Sequence, residues 1–175
     1  MDKKDISLYV PTHEDYWFER KLLTDVETMY YNAGYECNVD GYDYNTGCIE
    51  FDPDTWEDRY KTRSESDFYT AYIKAKDKFV GFVSYKYDIK RNIYVCGMLI
   101  DANERDRGYA KAGLRLLLDV ARNDGIEEMY SCFADGKTIT DIFTSAGFKI
   151  VKEYEWTRFG EPTKGLLVKI DLKER

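Results

Sequence analysis

The sequence has little that would mark a metal centre, a secreted protein or a membrane protein. Histidine occurs once, at His13, which excludes a metal centre built on several histidines and disfavours a Ser-His or Cys-His catalytic pair. The four cysteines have spacings that match no zinc site. No apolar run approaches the ~20 residues of a membrane-spanning helix. Because the Met-Asp-Lys-Lys-Asp start is charged and precedes no apolar stretch, we expect no secretory signal, no membrane partner and a cytoplasmic protein with reduced thiols.

Positive charge is also scarce overall. The chain has 26 Lys and Arg against 33 Asp and Glu, a net charge of −7, which argues against nucleic acid as a partner. A local anion site remains compatible with this balance, because basic residues are concentrated near residues 105–122. At 175 residues, 43% hydrophobic and 34% charged, the chain can form one good core. We therefore expect a single domain over residues 1–175.

Hydrophobic periodicity predicts the element order β-α-α-β-β-β-α-β-α-β-β. Three strands between residues 68 and 100 are separated by short polar turns, which predicts an antiparallel meander. Thr12 is the N-cap of a capping box, and we expect its helix to run to about Asn32. The helix near residues 108–123 connects two strands that must be parallel neighbours. The predicted class is α/β (mixed α+β), with helices on both faces of a mixed, mostly antiparallel sheet, three layers in all.

The stretch Arg-Asp-Arg-Gly-Tyr-Ala at residues 105–110 has the most specific chemistry. It follows a predicted strand and opens a predicted helix, where unpaired backbone N–H groups and the helix dipole favour an anion. Gly108 and Ala110 leave no side-chain bulk over those amides. Positive charge surrounds the turn, from Arg105, Arg107 and Lys111. The pattern predicts a pyrophosphate site, although the same residues also suit an ordinary solvated helix start.

In this stretch and in two others, the chain resembles the GNAT superfamily of N-acetyltransferases. Residues 105–110 match the family signature Q/R-x-x-G-x-G/A, and residues 98–104 are similar to the strand and loop that precede it. Residues 142–148 are similar to the L-Y-x-x-x-G-F end of the family's last helix. The resemblance implies the GNAT fold, a three-layer sandwich whose sheet is splayed between its fourth and fifth strands. It also implies acetyl-CoA as co-substrate, with no metal.

The resemblance further implies where the coenzyme binds. The pantetheine arm would lie between the splayed strands, along the main chain of Met98, Leu99 and Ile100. The pyrophosphate would lie on the turn formed by Arg105, Asp106, Arg107, Gly108, Tyr109, Ala110 and Lys111. Phe143 would line the thioester end of the cleft. Members of the family often dimerise, so a homodimer is the candidate assembly.

The resemblance leaves the catalytic proton transfers unassigned. Many members carry Asn where this chain has Gly136, and Tyr, a proposed acid, where it has Phe143. The strand glutamate that serves some members as base corresponds here to Tyr94. The backbone N–H of Met98 is the candidate oxyanion donor by resemblance. Tyr94, directly or through water, and Glu50 are the candidate bases; the alternatives are a packed strand tyrosine and a solvated loop acid.

The acceptor prediction depends on residues 36–58, which carry eight carboxylates and no Lys or Arg. Together with the rings of Tyr42, Tyr44 and Trp56, they would attract a cationic amine. The predicted acceptor is a small molecule such as a polyamine or an amino-sugar antibiotic. A solvated acidic surface is the alternative interpretation. For the whole protein, a non-catalytic acyl-CoA sensor and a protein N-acetyltransferase acting on an N-terminus or a lysine also stay open.

Overall fold

In a computed structural model of the chain, residues 6–65 and 67–173 are described. The charged start at residues 1–5 lies outside them. The strands are β1 (Ile6–Tyr9), β2 (Phe68–Ala75), β3 (Lys78–Asp88), β4 (Ile93–Ile100), β5 (Glu128–Ala134), β6 (Lys149–Arg158) and β7 (Glu161–Asp171). The helices are α1 (Tyr16–Thr24), α2 (Val26–Met29), α3 (Trp56–Ser64), α4 (Tyr109–Asn123) and α5 (Lys137–Ser145). No helix in these ranges is both long enough and apolar enough to cross a membrane.

The strands form one sheet in the order β1-β2-β3-β4-β5-β7-β6. Within the described ranges, β4 and β5 are the one parallel pair, and every other neighbouring pair is antiparallel. The predicted meander, parallel crossover and mixed sheet are confirmed. The crossover is parallel because α4 returns the chain to the same end of the sheet before β5 begins.

Each face of the sheet buries its own hydrophobic cluster. One cluster contains Leu114 of α4 and Cys96, with Met98 packed against it. The other contains Phe18 of α1 and Leu99. Because successive side chains of a strand point to opposite faces, even-numbered residues of β4 lie on the first side and odd-numbered residues on the second. We name these sides the α4 face and the α1 face.

The first helical region differs from the prediction in length. The capping box is present, since the Thr12 N–H donates to the Asp15 carboxylate at 2.9 Å. The single helix to Asn32 is wrong: α1 ends before Asp25, whose backbone is extended at φ −85° and ψ 115°. The Asp25 carboxylate instead accepts the Thr28 N–H and begins α2. A short acidic side chain that bonds to nearby amides competes with continuous helix, so it starts a new one.

A buried ion pair connects α3 to α1. The guanidinium of Arg63 donates to both carboxylate oxygens of Glu19, at 2.7 and 2.6 Å, and Glu19 is only 3% exposed. The same guanidinium lies 5.4 Å from the ring centroid of Tyr16 and 5.1 Å from that of Phe68. This contact holds α3, whose first turn ends the acidic stretch at residues 36–58, against the α1 face.

Candidate functional site

β4 and β5 separate after two paired positions, the second joining Val95 and Tyr130. One further link follows, in which the buried Ser131 hydroxyl donates to the Cys96 carbonyl at 2.9 Å. Both strands continue beyond this link, but no further backbone pairing joins them within the described residues. The sheet therefore contains a wedge-shaped gap that opens toward the carboxyl ends of both strands. At its closed end, burial raises the pKa of the Cys96 thiol to about 12, so this thiol stays neutral and unreactive.

The main chain of Met98 and Ile100 faces this gap. Within a strand, the N–H and C=O of successive residues point to opposite edges. The Cys96 carbonyl points toward β5, where it is bonded, and the Asp101 N–H points the other way and donates to β3 at 3.0 Å. Residues 98 and 100 therefore share the orientation of Cys96. Leu99 does not, so of the three expected residues the structure turns two toward the gap.

The predicted anion turn follows β4 and leads into α4. Asp106 and Gly108 both adopt left-handed backbone conformations, with φ of 61° and 80°. Hydrogen bonding of α4 begins with the Ala112 N–H, which donates to the Gly108 carbonyl at 3.1 Å. The N–H groups of residues 106–111 have no acceptor within the described parts of the chain. A Cβ on Gly108 would meet no atom of residues 6–65 and 67–173 within 4 Å. Unpartnered amides around an open helix start suit a pyrophosphate.

The basic side chains around the turn are partly committed to protein contacts. Arg105 donates to the Thr28 carbonyl at 2.9 Å, so it connects the turn to α2. Arg107 lies 3.4 Å from the Glu104 carboxylate. Lys111 is exposed on the first turn of α4. All three side chains are exposed around the turn, and Arg105 also fixes the loop through its contact with Thr28.

Thr28 is the residue that joins α2 to the loop before the turn. It is fully buried. Its hydroxyl donates to the Asp25 carboxylate and accepts the Ala102 N–H at 3.0 Å, while its carbonyl accepts from Arg105. These contacts make Thr28 a positioning residue for the anion turn. This role could not be predicted from the sequence, since no local pattern relates residue 28 to a loop 74 positions later.

A second connection to the same loop comes from α1. The Lys21 ammonium lies 2.7 Å from the Asp101 carboxylate. Burial by itself raises the pKa of Asp101, but hydrogen bonds from Lys21 and Asn103 outweigh it and hold the pKa below its ordinary value. Asp101 is therefore ionised and attaches the end of β4 to the α1 face.

Phe143 lies beside the β5 wall of the gap. It is 2% exposed, and its ring stacks on Phe133, with centroids 4.8 Å apart. Phe133 belongs to the part of β5 beyond its pairing with β4. On the α4 face this wall is therefore filled with aromatic rings.

The two candidate bases lie on opposite faces of the sheet. Tyr94 lies on the α4 face, in the part of β4 that is still paired with β5. Its ring centroid is 6.0 Å from that of Tyr85 and 5.0 Å from that of Tyr87. Glu50 is exposed and lies 2.8 Å from Arg20 of α1. The structure does not bring the two side chains together. The position of Tyr94 favours its interpretation as a packed strand tyrosine.

The tip of the β6–β7 hairpin reaches the segment that follows α2. Arg158 donates to the carbonyls of Ala33 and Tyr30, each at 2.9 Å. The rings of Tyr35 and Trp156 meet edge to face, with centroids 6.1 Å apart. Because α2 is fastened to the end of β4 and β7 pairs with β5, these contacts connect the two sides of the gap at its open end.

The acidic segment, residues 36–58, begins beside this connection. Of its eight carboxylates, Glu50 is the one to which the described residues offer an ion pair. Hydrogen bonds from Thr46 hold the pKa of Asp43 below its ordinary value, so that exposed carboxylate is charged. The described residues contain no group of three or more His, Cys, Asp or Glu placed to hold a metal ion.

Comparison with known proteins agrees with this geometry. A sequence profile of the acetyltransferase (GNAT) family matches residues 23–148, whereas a search of curated proteins finds no match. The solved structure of yncA from Salmonella typhimurium, with acetyl-CoA, has a TM-score of 0.75 at 15% identity, covering 98% of this chain and 96% of its own. Spermidine N-acetyltransferase from Vibrio cholerae, with CoA and spermine, has a TM-score of 0.75 at 13% identity, covering 98% of each chain.

A third structure, ribosomal-protein-alanine N-acetyltransferase from Brucella melitensis, has a TM-score of 0.73 at 15% identity, covering 94% of this chain and 99% of its own. At such identities these structures show a shared fold. The profile match is evidence of family membership, because it spans most of the chain and includes both walls of the gap and the turn between them. On that evidence the chain belongs to the acetyltransferase (GNAT) family.

Proposed function

We propose that this chain transfers the acetyl group of acetyl-CoA to a primary amine by direct attack in a ternary complex. The observation that carries the proposal is the gap in the sheet. Within the described residues, the main chain of Met98 and Ile100 has no strand partner on the β5 side, and the chain continues from there to the amides of residues 106–111. An extended pantetheine arm can bond to such an edge as a further strand would. The adjoining turn suits the pyrophosphate. Two structural neighbours contain acetyl-CoA or CoA, which supports this assignment.

The chemistry requires little from side chains. The Met98 N–H is the candidate donor to the oxygen that gains charge when the amine attacks. A thiol with a pKa near ~8.5 is a fair leaving group, so Phe143 in place of a tyrosine acid is compatible with turnover. Positioning of the two substrates then supplies much of the acceleration. Tyr94, directly or through water, and Glu50 both stay candidate bases, the first on the α4 face and the second beside α1.

The acceptor that we propose is a small cationic amine. Residues 36–58 supply exposed carboxylates with few cationic partners, and the rings of Tyr35 and Trp156 lie at the open end of the gap. Carboxylates and ring faces together favour an ammonium group. The structural neighbour that acts on spermidine and contains spermine supports this class of acceptor.

A substrate panel tests the proposal. Thiol release from acetyl-CoA is measured with spermidine, an aminoglycoside, a neutral primary amine and a peptide with N-terminal alanine. We expect kcat/KM for the cationic small molecules to exceed that for the neutral amine by about tenfold or more, and to fall with added salt. Equal inactivity on cationic and neutral amines removes the acceptor proposal.

The other results of the panel separate the alternatives. Turnover of the peptide alone favours a protein N-acetyltransferase, the activity named for the Brucella neighbour. Tight binding of acetyl-CoA without turnover of any amine favours a sensor. The homodimer and the cytoplasmic location stay predictions, and sedimentation equilibrium of the purified protein checks the first.

A further inference from the structure

Gly97 stands in the middle of a central strand, where glycine is unfavourable and β-branched residues are preferred. It pairs with Ser84 in regular register, and its φ lies outside the left-handed region, so neither a bulge nor a turn accounts for it. Among the described residues, an added Cβ would meet one atom within 4 Å, the Ser84 hydroxyl oxygen at 3.9 Å. At Gly81 and Gly165, by contrast, an added Cβ would come within 2.3 and 2.7 Å of a neighbour. Packing within the fold therefore does not require glycine at position 97.

The position of Gly97 is at the closed end of the gap, on the α1 face. It follows Cys96, the residue of β4 that is still linked to β5. A side chain at position 97 would share the α1 face with Leu99. The α4 face beside it is occupied by the side chains of Cys96 and Met98 and by the buried ring of Phe143. Over Gly97, by contrast, an added Cβ would meet only the Ser84 hydroxyl within 4 Å among the described residues, so this approach to the closed end of the gap has more room.

The next N–H along the strand, that of Met98, faces the gap and is the candidate donor to the thioester oxygen. A thioester carbon bonded to that oxygen would then lie beside Gly97. For transfer, the amine nitrogen must form a bond to this carbon while the carbon–sulfur bond breaks, the electron pair leaving on sulfur and the amine proton passing to a base or water. A glycine in a strand often marks close approach of a ligand, and here the ligand would be the amine.

We propose that Gly97 determines acceptor specificity, because its missing side chain forms the passage through which the amine reaches the acetyl carbon. The inference rests on the proposed function. It predicts that, among amines of equal charge, unbranched primary amines react faster than amines branched at the carbon next to nitrogen.

Variants at position 97 test the passage. Gly97→Ala and Gly97→Val are compared with wild type, and Ile93→Val serves as control for a change on the same strand face within its paired region. We expect the three variants to bind CoA with a Kd within about threefold of the wild-type value by calorimetry. The two Gly97 variants should unfold at a temperature similar to or higher than that of wild type. The kcat/KM of the best amine falls about tenfold in Gly97→Ala and more than about 100-fold in Gly97→Val, and branched amines lose more than unbranched ones.

Each other result overturns the inference in a distinct way. Transfer by Gly97→Val within about threefold of wild type means that the amine takes another route. Loss of CoA binding in a folded Gly97→Val means that the side chain enters the gap itself. If Gly97→Val fails to fold, Gly97→Ala decides, since its methyl group meets only Ser84. A wild-type protein that binds CoA and acetylates no amine refutes the proposed function, and this inference with it.

Discussion

Replacing Thr28 with valine tests whether the contacts from α2 hold the anion turn in its binding conformation. Valine keeps the shape of the side chain and removes the hydroxyl. The Asp25 carboxylate retains the N–H of residue 28 but loses the hydroxyl that donates to it. The part-buried Ala102 N–H loses the acceptor that the fully buried Thr28 provides. A buried polar group without a partner costs about 1–3 kcal/mol. We expect the free energy of unfolding to fall by about 2 kcal/mol, which lowers the thermal midpoint by roughly 4–8 °C in a chain of this length.

The same change should weaken coenzyme binding. A loop that is less restrained must be ordered when the ligand binds, and an ordering cost of about 1.4 kcal/mol raises the Kd about tenfold. Calorimetric titration with CoA measures this Kd, and scanning calorimetry measures the midpoint. Because Thr28 does not contact the gap, kcat at saturating acetyl-CoA should change little. Thr28→Ser keeps the hydroxyl and should restore the Kd while losing stability from the missing methyl group.

Two results would refute this reasoning. A Thr28→Val protein with a lower midpoint and the wild-type Kd for CoA means that the contacts support the fold without positioning the turn. Wild-type values of both quantities mean that the hydrogen bond to Ala102 contributes nothing measurable.

Three further predictions concern Arg63, Gly108 and Asp101. Arg63→Ala leaves the buried Glu19 carboxylate without its bidentate partner, so the free energy of unfolding in urea should fall by about 3–5 kcal/mol; a loss below about 1 kcal/mol contradicts this. Gly108→Ala meets no steric contact but forces alanine to a φ of 80°, at a cost of about 1–2 kcal/mol. The KM for acetyl-CoA should then rise severalfold with little change in kcat, and an unchanged KM counts against the anion turn. For Asp101, the folded pKa is depressed, so its contribution to stability is present above the unfolded value of about 3.9 and is lost as pH falls through the lower folded pKa. The difference in thermal midpoint between wild type and Asp101→Asn should therefore be largest near neutral pH and shrink below about pH 4, and a difference independent of pH argues against the ionised pair.

Several features could be predicted because they depend on residues close together in the chain. The amphipathic period of α4, the polar turns of the meander and the glycine at position 108 each express a local backbone preference. The break in the first helix was harder to predict. Asp25 is tolerable within a helix, and its role as N-cap becomes visible only with the N–H of Thr28 bonded to it.

The orientation of β4 illustrates the remaining limit. Alternation along the strand separates Met98 and Ile100 from Leu99, but which set faces the gap depends on the contacts of Cys96 and Asp101 with different neighbouring strands. The positions of the two candidate bases also could not be predicted from local sequence. Glu50 and Tyr94 lie on opposite faces of the sheet because one contacts α1 and the other packs in the cluster that contains α4.

Local sequence was thus sufficient for the element order apart from the break in the first helix, for the parallel crossover and for the turn at the start of α4, because periodicity and backbone conformation are properties of short segments. The depth of the gap, the residues that hold its rim and the open side over Gly97 were decided by tertiary structure. They depend on contacts between segments far apart in the chain, such as Thr28 with Ala102 and Cys96 with Ser131, and no short window of sequence contains both partners.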